Sequence, residues 1–280
     1  MRRCAAATTG VNPTLVGAHE RRAPCVMRAR LLLTAAVALV IAHRGASGTR
    51  PENTLVSFRH AESLGAHMVE LDVQLSRDGV VVVIHDWTLS RTTGVRGRVA
   101  TRSLAELEKL DAGAWFAPDY RGERIPTLRQ VLDAIALPVN VELKARGEDG
   151  LEARAFEVVE AAGAQSRVVY SSFDPESLVR LRQRSPSSAI AVLTSERRLA
   201  RALRLAGRVD ATALHIRKDG VAPGEVRAAA AQGLEIRAWT VNDPEEFARL
   251  EEAGVSGVFT DFPERFLQTS DPCIAPRQRS

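Results

Sequence analysis

Three observations in the 280-residue sequence predict an α/β protein built on a parallel sheet. Beyond residue 37, short runs rich in Val, Ile and Leu alternate with amphipathic stretches at helical spacing. Glycines stand where several of those stretches end, and charged or imidazole side chains gather at the ends of the apolar runs. The first run is VIA near 40, ending in His43, and TLVSFRHAESLG at 54–65 follows as a helix, with Asn53 and Thr54 as its N-cap and Gly65 as its C-cap. MVELDV at 68–73 and VVVVIHD at 80–86 are the next two strands, separated only by QLSRDG. A parallel crossover needs a dozen or more residues, so this pair must be an antiparallel hairpin. A two-residue turn at Arg77 and Asp78 would pair Ser76 with Gly79, Val73 with Val82, and Glu70 with His85.

The later elements follow in regular alternation. A helix at 128–135 precedes PVNVELK at 138–144, and a helix around 153–163 precedes RVVYSS at 167–172. AIAVLT at 189–194, ATALHI at 211–216, LEIRAWTV at 234–241, a helix at 243–254 and GVFTD at 257–261 complete the chain. Nine strands with one spent on the hairpin leave eight, the number of a (β/α)8 TIM barrel carrying a β-hairpin extension. The connection Trp87–Pro126 is too long to be structureless and reads as a small inserted lobe over the active end, with one helix at 103–110. The expected organisation is therefore an N-terminal extension at 1–36, a barrel at 37–268 with the insertion at 87–126, and a tail at 269–280.

The charge of +4 divides unevenly, because residues 1–30 hold six Arg and one Glu while the remainder holds 32 basic and 33 acidic groups. A near-neutral body gives no support to a nucleic-acid-binding surface. ERRLARALRL at 196–205 reads as a solvated helix face with a buried stripe. Cys4, Cys25 and Cys273 lie in the tails and show neither a disulfide framework nor zinc-like spacing, which fits a reducing, cytoplasmic setting. Residues 27–42 imitate a secretory signal, and export is the alternative, but the run is too short to span a bilayer. Its end, Ala38–Ala42, is also needed as the strand that presents His43, so the extension reads as disordered or as a start set too early, with Met27 as the true start.

Barrels of this kind place their chemistry at the carboxyl ends of the strands. There the sequence puts His43 and Arg44, then Glu70 and Asp72 on one face of a strand, His85, Glu142 and Lys144, and Trp239. Each alone has a mundane structural reading; their coincidence at strand ends does not. Three carboxylates without thiolates suit a hard divalent cation such as Mg2+ or Ca2+. Arg44 and Lys144 beside them suit a phosphate. Two imidazoles titrating near neutrality supply the two proton transfers that phosphodiester cleavage requires. Glu52 stabilises the turn or orients Arg44, and His60, His67 and His215 have no assigned role.

In order, the motifs HRGAS, PENT, ELDVQLSRDG, VVIHD, RTT.G, LDAG.WF, GERIPTL, VELK, SSF, WTVN and TDFP resemble those of the glycerophosphodiester phosphodiesterases across roughly residues 38–267. The resemblance implies hydrolysis of glycerophosphodiesters to sn-glycerol 3-phosphate and an alcohol. It implies His43 and His85 as the acid and base, Glu70, Asp72 and Glu142 as ligands of Mg2+ or Ca2+, Arg44 and Lys144 as phosphate contacts, and Trp239 as a wall near the glycerol. The expected partner is a small glycerophosphodiester, with no nucleic acid and no stable membrane insertion. Two alternatives remain: a lysophospholipase D-like lipid phosphodiesterase, whose apolar groove Trp115, Phe116 and Tyr120 would line unless, as their place in the lobe favours, they pack its interior, and a non-catalytic phosphoester-binding barrel.

Overall fold

In the computed structural model, which describes residues 38–267 except 146, 148 and 196–198, all nine expected strands form. The N-terminal extension, the tail and the three cysteines lie outside the described residues, as does the start of ERRLARALRL. The elements run β1 (Leu39–Ala42), α1 (Leu55–Ser63), β2 (Met68–Leu75), β3 (Val81–Val83), α2 (Ser90–Thr93), α3 (Leu104–Leu107), α4 (Leu128–Ala134), β4 (Val139–Leu143) and α5 (Leu151–Ala161). They continue β5 (Val168–Ser172), α6 (Pro175–Arg184), β6 (Ala189–Thr194), α7 (Ala200–Arg208), β7 (Ala213–Arg217), α8 (Pro223–Ala230), β8 (Glu235–Trp239), α9 (Pro244–Glu252) and β9 (Gly257–Thr260).

Eight parallel strands close a (β/α)8 barrel in the order β1, β9, β8, β7, β6, β5, β4, β2, with β2 returning to β1. The pleat sorts the side chains. On β2, Val69, Leu71 and Val73 face outward into the layer shared with the helices, while Met68, Glu70 and Asp72 take the opposite face. The same alternation sends Val139, Val141 and Leu143 outward and leaves Asn140 and Glu142 to the lumen. Ile41, Met68 and Phe259 pack together inside the ring, so the polar residues stand on an apolar floor. His67 and His215 are accounted for here as scaffold: His67 Nδ1 accepts the Val40 N–H at 2.9 Å, and His215 is buried against Phe259 with 4.8 Å between ring centroids.

β2 outruns β1, and its last three residues pair with β3 as the expected hairpin extension. The register differs from the expectation by one residue: Val73 pairs with Val83, not Val82. The turn is of three residues, because the Ser76 carbonyl accepts from Gly79 at 3.0 Å and the Ser76 N–H then reaches Val80 at 2.9 Å. Gly79 supplies the left-handed φ of 79° that this bulged turn demands. Glu70 and His85 are therefore not a ladder pair. After Ile84, whose N–H still reaches the Asp72 carbonyl at 2.9 Å, the chain leaves the ladder and is caught by Gln74, whose side-chain amide nitrogen lies within 3.0 Å of the carbonyls of Ile84, His85 and Asp86.

The insertion is a lobe whose small core packs Leu89, Val99, Leu107, Ala112 and Ile125 against Val82 and Ile84 of the hairpin. Its helix α3 is shorter than expected, starting from a capping box between Ser103 and Glu106 and ending after one turn. Thr54 caps α1 as expected, and Gly65, Gly163 and Gly254 take positive φ just beyond α1, α5 and α9. Among the described residues no helix is long and apolar enough to cross a membrane.

Candidate active site

The site begins where β1 stops. The His43 N–H still bonds the Thr260 carbonyl of β9 at 2.9 Å, but Arg44 and Gly45 turn left-handed, with φ of 57° and 81°. At Gly45 a Cβ would stand 2.3 Å from Ser57 Oγ, so only glycine admits this approach of α1. The turn points the Arg44 N–H at Glu70 Oε2, 2.9 Å away, and brings its guanidinium to Glu52 Oε1 at 2.9 Å and Asp72 Oδ2 at 3.3 Å.

Glu70 and Asp72 of β2 and Glu142 of β4 are all buried, and one carboxylate oxygen from each lies within 4.8 Å of the others. Lys144 Nζ sits 3.2 Å from Asp72 and 2.5 Å from Glu142. Burial and the neighbouring charges of Asp72 and Glu142 push Glu70 well above the usual carboxylate range. Glu142 is pushed up by burial and Asp72. Asp72 itself is held far below that range: burial opposes its charge, but Lys144 and Arg44 outweigh burial. Lys144 and Arg44 are in turn raised, their burial outweighed by the carboxylates around them, with Asp72 the largest. Glu70 Oε1 is buried with no hydrogen-bond partner among the described residues. An excess of clustered carboxylate oxygens, one of them unsatisfied, makes a set that could hold a metal ion.

Both expected histidines face the same space. They line a cavity of about 120 Å3 together with Arg44, Glu70, Asn140, Glu142, Lys144, Phe173 and Trp239. Each has Nδ1 committed to a carboxylate at 2.7 Å, His43 to Asp261 and His85 to Asp86, which leaves Nε2 as the nitrogen available for chemistry. Burial lowers the His85 pKa despite the attraction of Asp72. Trp239, at the end of β8, meets Phe173 edge-on with centroids 5.8 Å apart.

The profile of the Glycerophosphoryl diester phosphodiesterase family matches residues 43–265, from the first of these histidines to just beyond β9. The chain belongs to this family. A glycerophosphodiester phosphodiesterase of Caldanaerobacter subterraneus is 39% identical over 234 residues, covering 82% of this chain and 96% of its own. One from Bacillus subtilis is 34% identical, covering 81% of this chain and 85% of its own. A solved phosphodiesterase of Oleispira antarctica, in complex with the product sn-glycerol-3-phosphate, superposes with a TM-score of 0.77 at 36% identity, covering 82% of this chain and 95% of that one.

In this member of the glycerophosphoryl diester phosphodiesterase family, all eight residues singled out from the sequence meet around one cavity or its carboxylate cluster. Others were missed. Asn53 does not cap α1; at φ 57° it turns its side chain to Asp72, donating to Oδ2 at 2.9 Å and accepting the Asp72 N–H at 3.3 Å. Asp261 holds His43 and is itself fixed by Asn242 at 2.7 Å and Ser47 at 3.0 Å. Burial opposes its charge, yet the bonds from His43, Asn242 and Ser47 bring its pKa down to about 2. Asn140 lines the cavity and donates to Ser171 at 3.0 Å. The signal for Asp86 and Asp261 was present as an acid directly after a strand-end segment, in IHD and FTD.

Proposed function

We propose that the protein hydrolyses glycerophosphodiesters to sn-glycerol 3-phosphate and an alcohol, in a reaction that requires Mg2+ or Ca2+. The observation that carries this reading is the meeting in one cavity of two imidazoles, each anchored through Nδ1 to a carboxylate, with three clustered carboxylates and two cations. The names of the relatives and the product held by the Oleispira antarctica phosphodiesterase support it.

The all-oxygen donor set and the unpartnered Glu70 Oε1 fit a hard divalent cation, which Glu70, Asp72 and Glu142 would hold. When bound, it supplies positive charge toward a phosphoryl oxygen. Arg44 and Lys144 add N–H donors for the oxygens that gain charge in the transition state, and Trp239 walls the glycerol end. One imidazole takes the proton of the attacking oxygen at Nε2 as the new O–P bond forms. The other delivers its Nε2 proton to the alcohol oxygen as the old P–O bond breaks; the two rings then hold exchanged protonation states, which proton exchange with solvent, or reversed roles in opening a cyclic phosphate, restores. Asp261 and Asp86 fix the tautomers and stabilise whichever ring is protonated. The attacking oxygen belongs either to water or to the substrate's own 2-hydroxyl. The second route passes through a cyclic phosphate, which phosphorus NMR of a time course resolves.

His43→Ala and His85→Ala test the assignment. Each is expected to lower kcat on glycerophosphocholine by ~10^2- to 10^4-fold while far-ultraviolet circular dichroism is unchanged; near wild-type turnover by either variant would remove that residue from the mechanism. A lysophospholipid substrate would need an apolar groove in the lobe. Trp115, Phe116 and Tyr120 instead pack edge-on against one another, at 5.7 and 5.6 Å, and none lines the cavity.

A further inference from the structure

The short helix α2 of the inserted lobe carries Arg91, which touches neither the cavity nor the carboxylate cluster. Its guanidinium nevertheless grips two carboxylates at once. Nη1 and Nη2 reach Glu52 at 2.6 and 2.8 Å, while Nε and Nη2 reach Asp86 at 2.7 and 3.1 Å. In each carboxylate the oxygen bonded by Nη2 is shared with a residue that does line the cavity: Glu52 Oε1 with Arg44 at 2.9 Å, and Asp86 Oδ1 with the His85 ring at 2.7 Å. A continuous chain of alternating charge results, running Arg44, Glu52, Arg91, Asp86, His85.

We infer that Arg91 is a positioning residue, a tie through which the inserted lobe sets the orientation of both the phosphate-binding Arg44 and the proton-transferring His85; this rests on the hydrolase reading above. Exposed single ion pairs contribute little, but a paired fork-to-carboxylate geometry is directional and holds both partners in plane. Lysine could not reproduce it, since a point charge can neutralise one carboxylate but cannot square two against each other. The Trp115 ring, an exposed large apolar side chain, lies with its centroid 5.8 Å from the Arg91 guanidinium carbon. The three residues come from separate segments, Glu52 before α1, Asp86 after β3 and Arg91 in the lobe. Without Arg91, Glu52 would keep only Arg44 and Asp86 only the His85 ring as charged partners among the described residues, nothing there would bridge the two carboxylates, and the aim of both Arg44 and His85 would loosen.

The test is steady-state kinetics of full-length Arg91→Ala and Arg91→Lys on glycerophosphocholine at saturating divalent cation, with and without sub-denaturing guanidinium chloride, beside calorimetric binding of sn-glycerol 3-phosphate. Because Arg91 acts through one binding group and one proton-transfer group, the alanine variant should lose ~10-fold or more in kcat and also bind sn-glycerol 3-phosphate several-fold more weakly. Guanidinium should restore part of both in Arg91→Ala, and Arg91→Lys should recover less than guanidinium does. Kinetic constants and product affinity within twofold of the wild type would overturn the inference. So would a loss that guanidinium leaves untouched and that follows a lowered melting temperature, the mark of a purely structural tie. A wild type that neither hydrolyses the diester nor binds the product would instead overturn the reading of the site itself, and this inference with it.

Discussion

Asp261→Asn is the substitution whose magnitude can be worked furthest from the structure. The carboxylate accepts from Asn242 and Ser47 and faces His43 Nδ1 at 2.7 Å, and these contacts outweigh its burial to bring its pKa from 3.8 to about 2. A difference of ~1.8 units corresponds to about 2 kcal/mol favouring the charged form in the folded protein. In the proposed mechanism that same charge would stabilise the imidazolium that forms on His43. Only the share of those contacts that involves His43 acts at the barrier, so loss of the charge should lower kcat by at most roughly 30-fold, with KM little changed because Asp261 is not among the cavity-lining residues. The folded-state pKa is depressed, so the contribution to stability is fully present above about pH 4 and is lost as pH falls through about 2; about half remains at pH 3. Urea unfolding of wild type and variant at pH 7 and pH 3, with kcat and KM on glycerophosphocholine at pH 7, measures both consequences. A variant kcat within threefold of the wild type, or a stability gap as large at pH 3 as at pH 7, would refute the reasoning.

Chelation should abolish turnover and Mg2+ or Ca2+ should restore it; full activity in excess chelator would dismiss the metal requirement. Glu70→Gln keeps an acceptor for the Arg44 N–H but removes one ligand charge, and should raise the cation concentration for half-maximal activity ~10-fold or more. Gly45→Ala places a methyl 2.3 Å from Ser57 Oγ at a φ of 81°; chemical denaturation should report a loss of about 2 kcal/mol or more, and an unchanged midpoint would show that the β1–α1 turn tolerates a side chain.

Much of this architecture was legible because it is written in local pattern. Apolar runs gave all nine strands, and the brevity of QLSRDG forced the hairpin whatever its register. The register itself was not legible. Ser76 can close either a two-residue or a three-residue turn, and the choice depends on Gly79 adopting left-handed φ and on the Ser76 side chain bonding Val80 and Asp78. Asn53 was misread for a related reason: beside Thr54 it looks like a cap, and its bond to Asp72 exists only once β1 has turned through Arg44. Arg91 lies 39 positions from Glu52, and Asp261 lies 218 from His43; no pattern of spacing along the chain announces such partners. The candidate residues that line the cavity were visible by type at strand ends, whereas the pairing of Arg91 and Asp261 with their distant partners was fixed by three-dimensional closure.

The seam between β1 and β9 joins the first described strand to the last. The carboxylate cluster is assembled from β2 and β4, early neighbours on the chain, but His43 acquires its anchor only when β9 docks and brings Asp261. On the proposed mechanism, a nascent or truncated chain that stops short of β9 would hold the β2 and β4 carboxylates and still lack the anchor of its proton carrier. Turnover should then read out directly whether the ring has shut.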